Sequence, residues 1–316
     1  RDGTRPVHYE GVFHDRRYND TSDVESRMYA SPEEIERYLN NDPQKPFLLC
    51  EYTHAMGNSN GGMKRYTDLE RYPMYQGGFI WDLIDQSLLA KDRYGKSFLA
   101  FGGDYGDRPT DYNFCVNGIV YGDRKASPKV QEVKRCYQSL LLQPDEKGVV
   151  ITNKNLFLNA NLFDLHWRIE KNGAFVGEGT CVAEVRPLCR KRLDLHFGVP
   201  FDKDHEYTVT TSLVLRDKTL WADAGHEIAF GQKILGEYKP VRKAARPRFQ
   251  VSNCDVNIGV KTDAMSVIID KTKGKMVSLQ AGEKELVRVP IMPSFWKAST
   301  DNDRGNRFDY RHAQWK

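Results

Sequence analysis

The chain has 316 residues, 28% charged and 40% hydrophobic, and its 47 basic and 43 acidic side chains leave a net charge of +4. That length holds two or three domains with cores of their own. The near balance of charge argues against a dedicated nucleic-acid binder, which concentrates a basic face. No apolar run approaches the roughly 18 residues of a membrane-spanning helix.

The opening residues, Arg1-Asp2-Gly3-Thr4-Arg5-Pro6, carry neither an initiator Met nor the apolar core of a signal peptide. They predict a processed chain or a piece of a longer one, soluble, with the compartment (cytoplasmic or periplasmic) left open. Val7 to Glu10 and Val24 to Tyr29 read as short strands. Ser31-Pro32-Glu33-Glu34 predicts a helix start: Ser as N-cap, Pro in the first turn, Glu three residues after the cap. Ile35, Tyr38 and Leu39 supply its apolar stripe. Phe47-Leu48-Leu49-Cys50 is a short unbroken apolar run, the pattern of a strand buried on both faces, and it closes on Glu51. Met63, Tyr66 and Leu69 mark a second helix that Pro73 stops. Gly77 to Asp82 reads as the next buried strand, again closing on a carboxylate. This alternation predicts parallel βα units, either an open sheet or half of an eightfold barrel.

From about residue 140 the texture turns to β. Leu156 to Leu158, Leu162 to Ile169, Arg192 to Phe197 and Tyr207 to Leu215 alternate apolar with polar residues. Lys171-Asn172-Gly173 is a tight hairpin turn, because Asn-Gly tolerates the positive φ of a type I′ turn. The pattern predicts a β-sandwich without the cysteine and tryptophan spacing of antibody domains. The basic cluster Arg186, Arg190, Lys191 and Arg192 reads as a solvated strand edge. Lys239 to Pro247, basic with two prolines, reads as a linker. Beyond it Val256 to Val260, Ser266 to Asp270 and Lys275 to Leu279 predict strands, with Lys271 to Gly274 turning between two of them. The six cysteines are scattered, without CxxC or zinc spacing, and read as buried free thiols.

Glu51, Asp82 and Asp85 fall near strand ends, where a parallel barrel keeps its chemistry. Sugar hydrolysis with retention needs two carboxyls about 5 Å apart. Asp82 is a partner for Glu51 on spacing alone. Tyr29, Tyr52, Trp81 and Phe101 suit the apolar faces of sugars, or equally a packed core. His54 reads as a ligand contact, a metal ligand or a cap. The loop Gly102 to Asp107 is too acidic for phosphate; a hard cation, sugar hydroxyls or a plain turn fit it.

These residues carry a resemblance. Cys50-Glu51-Tyr52-Thr53-His54-Ala55-Met56-Gly57-Asn58-Ser59 closely resembles the nucleophile motif of the β-galactosidases of glycoside hydrolase family 2. Arg5 to Gly11, Gln76 to Asp82, Asp85 to Ser87, Gly102 to Asp107 and Phe114 to Gly118 are similar to it in the same order, then more weakly Trp221 to His226 and Thr300 to Asp303. Relatives acting on glucuronides or mannosides have a shorter motif at the nucleophile. The resemblance implies a multidomain chain. Residues 1–138 would be the second half of a (β/α)8 TIM barrel, 139–242 an immunoglobulin-like β-sandwich, and 243–316 the beginning of a large C-terminal β domain. It implies Glu51 as nucleophile and Tyr29 as its hydrogen-bond donor. It makes His54 and Trp81 galactose contacts, and Phe114 (through its carbonyl) and Asn117 ligands of an active-site sodium. Asp82 then loses its claim to be the second carboxyl. The family's acid/base glutamate and magnesium ligands match nothing here, so the chain is expected to be an internal fragment, inactive alone. Its parent would hydrolyse terminal β-galactosides, with neither nucleic acid nor membrane as partner, and could be a homo-oligomer. The other readings are a different β-glycosidase of the family, or a non-catalytic carbohydrate-binding or scaffold protein.

Overall fold

The computed structural model describes residues 3–239 and 248–315. They fall into two compact units that divide at Lys239 and Pro240. The linker expected at Lys239 to Pro247 lies, beyond its first residue, outside the described residues. No helix among them is long and apolar enough to cross a membrane.

The first unit opens with a parallel sheet of β1 (Glu25–Met28), β2 (Phe47–Tyr52) and β3 (Tyr75–Ile80), in that spatial order. Helix α1 (Pro32–Leu39) starts as expected, with a complete capping box between Ser31 and Glu34. Ile35 and Leu39 of α1, Phe47, Leu49 and Tyr52 of β2, and Met63 of α2 (Met63–Thr67) share one buried cluster. Each helix therefore covers the outer face of the sheet, as βα crossovers require. The fourth strand is reduced to a single parallel bridge, Ile84 to Val120. Asp82 N donates to the Asn117 carbonyl (2.8 Å) and Ile119 N to the Asp82 carbonyl (3.0 Å), so the chain still runs alongside β3's continuation. An exposed hairpin, β4 (Leu88–Lys91) and β5 (Ser97–Ala100), projects before α3 (Lys129–Tyr137) closes the region. Val7 to Glu10 is no strand. Asp23 and Ser22 side chains take the Val7 and Tyr9 amides (2.7 and 3.2 Å), and Glu10–Phe13 coils as a 3-10 turn.

The sandwich follows as β6 (Leu140–Asp145), β7 (Gly148–Asn153), β8 (Phe163–Lys171), β9 (Ala174–Val182), β10 (Arg190–Asp194), β11 (Tyr207–Leu215) and β12 (Glu227–Leu235). One sheet runs β10-β7-β6 and the other β12-β11-β8-β9. Leu142, Val149 and Ile151 from the first meet Leu165, Leu213 and Ala229 from the second in a single core. Asn172 (φ 49°) and Gly173 (φ 79°) turn the β8–β9 hairpin as the sequence predicts. Arg190, Lys191 and Arg192 of the basic cluster lie on β10, an edge strand, and Arg186 lies in the loop before it. Leu156 to Leu158 is a loop, because the chain wraps round the buried Asn153 amide, which donates to the Leu158 carbonyl at 2.8 Å. All six cysteines are free thiols, as expected, but none is fully buried, and Cys189 and Cys254 are exposed.

The second unit is an antiparallel meander of β13 (Gln250–Asn253), β14 (Asn257–Lys261), β15 (Met265–Asp270), β16 (Lys275–Ala281) and β17 (Lys284–Glu285). Short helices α4 (Asp301–Gly305) and α5 (Phe308–Arg311) follow it. A capping box between Thr300 and Asp303 starts α4.

Candidate active site

A bulge aims the carboxylate of Glu51. Opposite β1 the register runs Arg27 to Leu49, then Met28 to Glu51, so Cys50 is an extra residue on β2. The slip changes the phase of the pleat. Tyr52 joins Phe47 and Leu49 in the helix-facing cluster, and Glu51 turns to the opposite face. There Tyr29 reaches it: the phenol donates to Glu51 Oε2 at 2.8 Å, and the Tyr29 amide donates to the Glu51 carbonyl at 2.9 Å. Tyr29 takes a left-handed backbone (φ 53°) immediately after β1, a costly conformation that holds the ring over the next strand's end. Burial first, and the bond to Glu51 second, push the Tyr29 phenol well above its ordinary range. The proton stays on the tyrosine, which acts as a donor.

His54 sits between two rings, with centroids 6.0 Å from Tyr29 and 5.6 Å from Phe114. Its Nδ1 accepts from the Met56 amide at 3.3 Å. Burial lowers its basicity, against the pull of Glu51 and Asp82, so the ring is neutral near pH 7. The Trp81 carbonyl receives the Ala55 amide at 2.8 Å, which ties the end of β3 to the loop carrying His54. The Trp81 side chain is 37% exposed.

Asn117 is buried. Its Nδ2 donates to the Phe114 carbonyl at 3.3 Å, and its Oδ1 has no hydrogen-bond partner. Asp85 fixes this segment, accepting the Gly118 amide at 2.6 Å. A Cβ on Gly118 would lie 2.1 Å from the Asp85 nitrogen, so only glycine permits the approach. Asp82 is raised above the ordinary carboxylate range by burial; Gln86 donates to one oxygen at 3.2 Å, and the other is buried without a hydrogen-bond partner.

Glu51, Tyr29, His54, Trp81, Phe114 and Asn117, drawn from four segments of the sequence, are thus linked through contacts around the ends of β1, β2 and β3. Tyr52 belongs instead to the core, hydrogen-bonded to Tyr137. In the Gly102 to Asp107 turn the Asp104 and Asp107 carboxylates accept the Phe101 and Gly103 amides at 2.9 and 3.0 Å. The structural part played by Asp85 through Gly118 carried no sequence signal, since it depends on a contact between segments 33 residues apart.

The profile for glycosyl hydrolases family 2, TIM barrel domain, matches residues 1–142. Those for β-galactosidase, domain 4, and β-galactosidase small chain match residues 149–236 and 261–316. A β-galactosidase of Halalkalibacterium halodurans is 50% identical, aligned over 99% of this chain and 31% of its own length.

The chain belongs to glycoside hydrolase family 2.

Other relatives place it within that family. A β-galactosidase of Clostridium acetobutylicum is 48% identical over all of this chain and 35% of its own length. A β-galactosidase large subunit of Latilactobacillus sakei is 59% identical over 43% of this chain and 22% of its own length. The chain spans about a third of the length of the first two of these β-galactosidases.

Proposed function

We propose that this family 2 protein is a retaining β-galactosidase, hydrolysing terminal non-reducing β-D-galactose residues, with Glu51 as nucleophile. The observation that carries the reading is the carboxylate at the end of the middle parallel strand, held by a protonated tyrosine 2.8 Å away. Tyr29 leaves Glu51 Oε1 to attack the anomeric carbon. A second carboxyl protonates the departing oxygen; water then cleaves the glycosyl ester with that carboxyl as base. With Nδ1 of His54 accepting from Met56, Nε2–H is left as a donor to a sugar hydroxyl. Trp81 would wall the sugar.

The Phe114 carbonyl and the unpartnered Asn117 Oδ1 suit a sodium ion, since both are neutral oxygens and one is buried without a donor. Bound there, sodium would fix a sugar hydroxyl by its charge. The magnesium ligands and the acid/base glutamate are read as lying outside these 316 residues, so the residues alone are expected not to turn over. Residues 1–138 are read as the second half of a (β/α)8 barrel, 139–242 as an immunoglobulin-like sandwich and 243–316 as the beginning of a larger β domain. The names of the relatives support the substrate, and the large-subunit relative supports an assembly of several chains.

The test is mechanism-based labelling of the full-length protein with a 2-fluoro-galactosyl fluoride and peptide mapping. The adduct is expected on Glu51. An adduct elsewhere, or none under conditions that inactivate a known retaining β-galactosidase, refutes the assignment.

A further inference from the structure

Beside the catalytic cluster lies a cavity of about 730 Å³ that neither Glu51, Tyr29, His54 nor Trp81 lines. Its walls are the loop 57–61, then Val116, Tyr121 and Pro128, and the first turn of α3 with Lys129 and Glu132. Asn60 is the anomaly there. It is 4% exposed, and neither its Nδ2 nor its Oδ1 has a hydrogen-bond partner. A buried amide left wholly unpaired is destabilising, because neither group regains the hydrogen bonds it made to water. Asn60 also holds φ at 71°, a conformation that glycine takes freely and asparagine only at some expense. In native proteins such a group calls for a partner, whether water, ion or ligand, or for a functional role.

The charges around the amide select the ligand. Lys129 donates one of its protons to the Gly57 carbonyl at 3.3 Å, and burial lowers its basicity. Glu132 supplies a carboxylate on the same helix turn. An anion would meet Glu132 and leave Asn60 Oδ1 unpaired. A cation would meet Lys129 and leave Asn60 Nδ2 unpaired. A neutral ring bearing adjacent hydroxyls satisfies both ends of the amide, because each hydroxyl donates and accepts. It can also lay an apolar face on Tyr121, Val116 and Pro128. We propose that this cavity is a second saccharide site, for an uncharged pyranose, separate from the site of Glu51. It shares two loops with the catalytic cluster: the Gly57 amide donates to the Val116 carbonyl at 3.4 Å, between His54 on one side and Asn117 on the other.

The test is calorimetric titration of the full-length protein with methyl α-D-glucopyranoside, methyl β-D-glucopyranoside, methyl α-D-mannopyranoside and inorganic phosphate. At least one pyranoside is expected to bind. Asn60→Gly, which keeps the positive φ without strain, and Lys129→Met should each weaken it tenfold or more, while Glu51→Gln leaves it within twofold. The proposal is overturned if no pyranoside binds, if both cavity variants bind as the parent does, or if phosphate is the ligand those variants lose. It is equally overturned if a structure of the full-length protein shows a polypeptide segment bonded to the Asn60 amide.

Discussion

The barrel region and the sandwich bury polar groups in opposite ways. In the sandwich, Asn153 is 1% exposed and fully engaged: Nδ2 donates to the Leu158 and Val185 carbonyls (2.8 and 2.9 Å), and Oδ1 accepts the Asn155 amide at 3.0 Å. Gln138, where the regions join, is closed likewise against Leu140 and Phe230. In the barrel region Thr53, Asn60, Asp82, Ser87 and Asn117 each bury a side-chain atom without a hydrogen-bond partner. A scaffold closes its polar groups because an open one costs stability. Near a site they are left open, and the cost is recovered when a ligand enters.

The largest expected effect breaks the barrel side of this contrast. In the full-length protein Glu51→Gln should cut turnover of an aryl β-galactoside on the order of 10⁴-fold or more, while the protein stays folded. Next comes a pair that sets one asparagine against another. Asn153→Ala strands two carbonyls and an amide in the sandwich, so denaturant unfolding should show a loss of about 3 kcal/mol. Asn117→Ala removes an oxygen that has no partner and one long hydrogen bond, so it should cost about 1 kcal/mol or less. With the proposed sodium held there, its effect should fall on the sodium dependence of KM. Equal stability losses in the two variants would dissolve the contrast. Smaller again, Tyr29→Phe should lower kcat by about 10- to 100-fold through loss of the hydrogen bond to Glu51, the proposed nucleophile. An unchanged kcat would leave Tyr29 a structural residue.

What the chain reveals before folding divides along the same line. The capping box at Ser31 and the Asn172-Gly173 turn were legible because a few neighbouring residues determine each. The strand closing on Glu51 was legible as an apolar run. Its direction was not, since that depends on a one-residue slip against β1. The linking of Glu51 with Tyr29, His54, Trp81, Phe114 and Asn117 was expected from resemblance alone, because no local pattern encodes meetings between distant loops. Leu156 to Leu158 misled for a related reason: three apolar residues look like a strand, but a buried amide from Asn153 bends the chain round itself. Asn60 gave no signal. An asparagine in a Gly/Asn/Ser loop reads as a turn, and nothing local to the loop signals that its side chain is buried.

The smallest effect tests the sandwich side through acid. Asp145 closes the β6–β7 hairpin, accepting the Lys147 and Gly148 amides at 2.8 and 3.0 Å, and binds the Arg192 guanidinium through both oxygens at 2.8 Å. Arg192 above all, then the backbone amides, hold its carboxyl at about 2, below the ordinary 3.8. The unfolded chain takes up this proton first as pH falls. The stabilisation is therefore complete above about pH 4 and is lost as pH drops through about 2. With 35% of the Asp145 side chain exposed, solvent screening should keep it under about 1 kcal/mol. Arg192→Met should thus lower the unfolding free energy slightly at pH 7 and shrink the loss between pH 4 and pH 2.5, read by denaturant titration at both. The two backbone amides still favour the ionised form, so the loss should shrink without vanishing. If Arg192→Met leaves the acid loss unchanged, the amides alone set the Asp145 carboxyl and the edge arginine is ornamental. If the loss disappears, the hairpin depends on β10 for its closure, and the sandwich is closed by side chains as well as by its sheets.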